Sequence, residues 1–173
     1  SSQAVFIYAL MDHKKHKYAP RELADKLGYS TMALTRAFNE LEFSHLATTS
    51  RQGRMRLIEF PDNKQHLWKT AQSFLRDPVK KRVYVNRTSS KIQNVVAGLT
   101  ALSRLSMLSA PDRPTFAILS KAWKTIKEED GLKQLPPIES DAIELEIWHY
   151  NPVTFATSGL VDPFSLYLSL KDS

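Results

Sequence analysis

The sequence predicts an α+β protein in two parts, with one domain over residues 1–78 and a small α/β domain with a short mixed sheet over residues 79–173. Three observations lead there. Helical apolar spacings run through residues 3–41, then give way to a basic hairpin pattern with Gly53 at its tip. The pair Asp77-Pro78 breaks the chain. Beyond it, strand-like and helix-like segments alternate.

Composition permits this. Of 173 residues, 42% are hydrophobic and 10% aromatic, enough for a packed core. There is no cysteine, which excludes disulfides, thiolate metal sites and a cysteine nucleophile. No apolar run approaches the ~18 residues of a membrane span. The chain opens on Ser1 without a charged-then-apolar leader, so a cytoplasmic protein is expected. Net charge is +6. Residues 1–91 hold 17 Lys/Arg and 8 Asp/Glu, against 7 and 10 in residues 92–173. That split suggests a polyanion-binding module joined to a mildly acidic one.

The first element spans Gln3 to Met11, where Val5, Phe6, Ala9 and Leu10 fit one helix face. A polar connector, Asp12 to Lys17, follows. Pro20 suits the first turn of a second helix, Leu23, Ala24 and Leu27 give its apolar face, and Gly28 its stop. Ser30 is the expected N-cap of a third helix, with Leu34, Phe38 and Leu41 facing the core. Met32, Thr35, Arg36 and Asn39 then fall on the opposite face, with Thr31 close by. Thr48 to Phe60 reads as the hairpin. Asn63 to Arg76 reads as a helix with Leu67, Trp68, Ala71, Phe74 and Leu75 on one side.

In the second part, Arg82 to Val85 reads as a short strand. A helix is expected from Ser90 to about Leu108, with Ile92, Val95, Val96, Leu99 and Leu102 inside. Thr115 to Leu119 and Ala142 to Tyr150 are expected strands. Alternation puts Glu144, Glu146 and Trp148 on one, wet face of the latter and Ile143, Leu145 and Ile147 on the other. Phe164 to Leu170 should close the chain as a helix docked on the sheet, with presentation to a partner as the alternative. Trp68 and Trp123 are expected in cores.

Two helices, a glycine turn, a polar-faced helix and a basic hairpin make a winged helix-turn-helix pattern. A helix fits the major groove, and its outer face must carry groups that read base edges. Arg suits guanine, Asn suits adenine, and a Thr methyl can touch thymine. Thr31, Thr35, Arg36 and Asn39 are therefore candidate base readers. Arg51, Arg54 and Arg56 bracket Gly53 and are candidates for phosphate or minor-groove contact. Lys80, Lys81 and Arg82 could add phosphate contacts or form solvated linker. The competing reading is an ordinary surface helix and hairpin.

"RELADKLGYSTMALTRAFNELE" followed by "SRQGRMRLIEF" resembles the winged-helix regulators of bacteria, especially the MarR-like group, over about residues 3–76. The resemblance implies Thr31, Thr35, Arg36 and Asn39 as recognition-helix positions, and Arg51 and Arg54 as wing positions. That family dimerises through long flanking helices, which makes a second copy of the chain a possible partner; here only one such helix follows. "VVAGLTALSRLSMLSAPDRPTFAI", residues 95–118, is similar to the C-terminal region of AbiEi-type antitoxins. That resemblance implies an autorepressor whose operon also encodes a nucleotidyltransferase-like toxin.

Catalytic constellations are not evident. Glu128-Glu129-Asp130 precedes Gly131 as a solvated helix end, and His13, His16 and His149 lack convergent acids. No phosphate loop or GxSxG elbow occurs. The expectation is a non-enzymatic, sequence-specific transcriptional regulator of double-stranded DNA, without metal or cofactor. The alternatives are an antitoxin-type partner of a toxin, and a DNA-targeted enzyme or small-ligand sensor acting through the second domain.

Overall fold

A computed structural model describes residues 1–86, 95–129, 132–137 and 141–172. The chain divides into two compact units, Ser1–Leu75 and Arg76–Ser173. Among the described residues are seven α-helices and two three-stranded sheets, a mixed α+β content. No helix among them is long and apolar enough to cross a membrane.

The first unit contains α1 (Ser2–Met11), β1 (Lys17–Tyr18), α2 (Pro20–Leu27), α3 (Thr31–Phe43), β2 (Thr48–Gln52), β3 (Met55–Glu59) and α4 (Lys64–Ala71). Its antiparallel sheet has the order β1-β3-β2. Helix α1 was expected to bury one face. Instead Ala4, Val5, Phe6, Ile7, Ala9 and Leu10 are all buried, because α2 and α3 pack on it and Phe60 meets Phe6 edge to face. The Lys64 Nζ satisfies carbonyls left open at the C-terminus of α1, donating to Ala9 O at 2.6 Å and also to Asp12 O. The connector after α1 holds a strand missed in the sequence: Tyr18 in β1 is buried, and its hydroxyl donates to Lys15 O. Helix α4 is shorter than the expected 63–76. Asn63 caps it, it ends at Ala71, and Phe74 is exposed rather than packed. Trp68 is only partly buried.

The second unit contains β4 (Val79–Asn86), α5 (Gly98–Leu105), β5 (Thr115–Leu119), α6 (Ser120–Glu129), β6 (Ala142–Trp148) and α7 (Pro163–Leu170). Its sheet is mixed, in the order β4-β6-β5, with β6 antiparallel to β4 and parallel to β5. Val83, Val85, Ile118, Ile143, Leu145 and Ile147 form the core on one face, with Trp123 of α6 packed into it. On the other face, Gly98 of α5 approaches Thr115 and Glu146, and α7 packs on α5.

Two expectations change here. Within the described part of the helix foreseen over 90–108, from Val95 onward, α5 spans Gly98–Leu105. Val95 to Ala97 are extended, because their backbone pairs with β5: Ala117 N donates to Val95 O and Ala97 N to Thr115 O. Ile92 and the expected helix start at Ser90 lie outside the described residues. The face of β6 expected to be wet is covered at Glu146 and Trp148, while Glu144 stays partly exposed. As the central strand, covered on both faces, β6 buries Glu146 to 1% exposure.

Candidate nucleic-acid interface

Helix α3 begins where local chemistry directs it. Gly28 takes the left-handed conformation, φ 70°, that ends α2 with the least steric cost. Ser30 is extended, and its hydroxyl accepts from Ala33 N at 3.2 Å. Leu34, Ala37, Phe38 and Leu41 are buried, which turns Thr31, Met32, Thr35, Arg36 and Asn39 outward, all exposed. There is no acid in the first turn. Glu40 and Glu42 lie further along, so the anion-compatible end of this face is its N-terminal half.

The outward groups differ in what they leave available. The Thr35 hydroxyl donates to Thr31 O at 2.9 Å, so its hydrogen is engaged within the helix. An Arg36 guanidinium nitrogen lies 3.9 Å from Met32 Sδ, a weak acceptor, and Arg36 forms no ion pair among the described residues. Asn39 Oδ1 accepts from Arg56 Nη1 at 2.6 Å. Reading adenine takes both the amide oxygen and the amide nitrogen, so Asn39 can do so only by releasing Arg56.

The hairpin turns at Gly53, φ 61°. Arg51 pairs across the ladder with Arg56, but the two side chains have different surroundings. Arg51 and Arg54 are exposed and have no hydrogen-bond or ion-pair partner among the described residues. Arg56 is held by Asn39 and by Glu42 Oε2 at 2.9 Å. Thr49 Oγ1 donates to Glu42 Oε1 at 2.5 Å. The Thr49 hydroxyl, with Arg56 beside it, holds the Glu42 carboxyl below its usual range. Arg56, expected as a wing contact, therefore moors the hairpin to α3, together with Glu42 and Thr49, which the sequence reading missed. Asn39 and Arg56 lie 17 positions apart, and no local signal links them.

The chain matches no protein-family model, no curated protein and no solved structure.

Glu144 and Glu146 on β6 are held by neighbouring side chains. Glu146 receives Arg82 Nη2 at 3.2 Å and Trp148 Nε1 at 3.0 Å, and Glu144 lies 3.4 Å from Arg82 Nε. Arg82 also donates to Ser169 O at 3.1 Å. Arg82 was grouped with Lys80 and Lys81 as a phosphate contact; this buried carboxylate claims it instead. Burial pushes the Glu146 carboxyl above its usual range despite Trp148 and Arg82. His149 is exposed just beyond β6. Among the described residues no group of three His, Cys, Asp or Glu side chains could hold a metal ion.

Proposed function

We propose that the first unit is a winged helix domain and that the chain is a sequence-specific, DNA-binding transcriptional regulator. One observation carries the reading. A Ser30-capped helix turns Thr31, Met32, Thr35 and Arg36 outward, in the same compact unit as a hairpin whose Arg51 and Arg54 have no partner among the described residues. Such a helix can enter the major groove with its N-terminal residues at base edges. Arg36 would read guanine through its guanidinium, and the Thr methyls would meet thymine. Arg51 and Arg54 would meet phosphates and position the domain without specifying sequence.

The test starts with selection of bound sites from a random duplex pool by the full chain. A defined site should emerge. Arg36→Ala should then weaken binding to that site by about 1–3 kcal/mol and barely affect random DNA. Arg51→Ala and Arg54→Ala should weaken both DNAs alike and flatten the salt dependence by about one phosphate contact each. No enrichment, or an Arg36→Ala variant with unchanged site affinity, would end this reading.

A further inference from the structure

The geometry points to a second anion site: a groove between β4 and α6 in the second unit that takes a chain of phosphates, free or as a nucleic-acid backbone. The groove has a volume of about 570 Å³ and is lined by Lys80, Lys81, Ser120, Trp123, Lys124, Lys127 and Glu128. It stands independently of the reading of the first unit.

Strand alternation alone would not build it. Lys81 shares the parity of Val83 and Val85, which puts it on the α6 face; Lys80 belongs by parity with Arg82 on the opposite face. The register shifts between Val79 and Lys81: Val79 faces Trp148 and Lys81 faces Ile147, so Lys80 is an extra residue. Such a bulge re-aims a side chain, and both lysines line the groove. Lys124 and Lys127 follow from α6, three apart and therefore neighbours on its surface. All four are exposed, and none has a hydrogen-bond or ion-pair partner among the described residues. Glu128 is the one acid among the lining residues.

Four like charges around one volume repel one another and add nothing to folding. An anion relieves that repulsion. Lysine ammonium groups are compact point charges suited to phosphate oxygens, and no arginine fork lines the groove for a planar carboxylate. Trp123, at 3% exposure, forms part of the wall but offers no face for base stacking. The groove would therefore bind phosphates without reading bases.

The test is calorimetric titration of the full chain with inorganic tripolyphosphate at low salt. Binding is expected, and the variant carrying Lys80→Gln, Lys81→Gln, Lys124→Gln and Lys127→Gln should lose about ten-fold or more in affinity. Circular dichroism should show that this variant keeps its fold, since all four side chains are exposed. Lys121→Gln, on α6 but outside the groove, should bind as the parent does. An oligothymidylate of roughly 12 nucleotides then separates the sources. Displacement of tripolyphosphate supports a nucleic-acid backbone, and failure to displace it supports a free polyphosphate. No binding of tripolyphosphate, an unchanged glutamine variant, an equal loss on Lys121→Gln, or equal displacement by polyglutamate would overturn the proposal.

Discussion

The hairpin of the first unit and the central strand of the second treat arginine in opposite ways. Arg51 and Arg54 flank an exposed turn and have no partner among the described residues. Arg82 lies on a strand paired with β6, where Glu144, Glu146 and Ser169 O all engage it. The difference comes from cover. β2 is an edge strand whose tip meets water, whereas β6 is central and covered at Glu146, so the carboxylate it buries needs a cation. Counting basic residues therefore does not tell which cations remain available to a ligand. The tally by unit makes the same point. The first unit holds 11 Lys/Arg and 7 Asp/Glu, the second 13 and 11. Six of the basic residues in the basic first half, those from Arg76 to Lys91, belong to the second unit.

Breaking the engaged arginine should have the largest effect. Arg82→Ala leaves Glu146 buried with Trp148 as its one donor among the described residues. The loss should be about 3 kcal/mol, the lower end for a broken buried pair, because the Arg82 side chain is still 36% exposed. Hydrogen exchange of β6 amides under increasing urea measures it, and protection equal to the parent's would refute the account.

Acidification should separate the units. In the first, Glu42 lies below its usual value of 4.5 through Thr49 and Arg56. Burial of Asp12 pulls upward, but the Lys14 N–H, the Tyr18 hydroxyl and Lys64 hold it below 3.8. These contributions are complete above the ordinary values and vanish as pH falls through the lowered ones. In the second unit, burial raises Glu146 above 4.5 and Asp162 above 3.8. Their contributions are complete below those ordinary values and are lost as pH rises through the raised ones. Lowering pH from 7 toward 4.5 should thus strengthen the second unit while the first keeps its contributions; further acid should weaken the first. Unit-resolved hydrogen exchange across pH, referenced to intrinsic rates, would show parallel changes if this assignment is wrong.

Arg56 is the intermediate case, partly exposed and paired twice. Arg56→Ala should cost about 0.5–1 kcal/mol of first-unit stability and raise hairpin exchange. If thermal melts of this variant match the parent's, the mooring contributes nothing. Arg54→Ala, with no partner to lose among the described residues, should stay within about 0.5 kcal/mol of the parent in the same melts. A larger shift would mean that Arg54 is engaged after all.

The third helix and its outward face were legible because their signals are local. Gly28 and Ser30 stand next to the turn they make, and Leu34, Phe38 and Leu41 repeat within one helix. The hairpin was legible for the same reason, with Gly53 between two short strands. Contacts between distant segments decided the rest. β1 exists because Tyr18 finds Ile58, 40 positions away. The first turns of the expected 90–108 helix gave way at Val95 to Ala97 because β5 had an open edge for them. Glu146 looked wet because alternation reports which side chains share a face, not what covers that face. Asn39 looked free because Arg56 reaches it only after the hairpin folds back. Lys80 joined Lys81 only because β4 and β6 slip register, and neither strand carries that slip in its own residues.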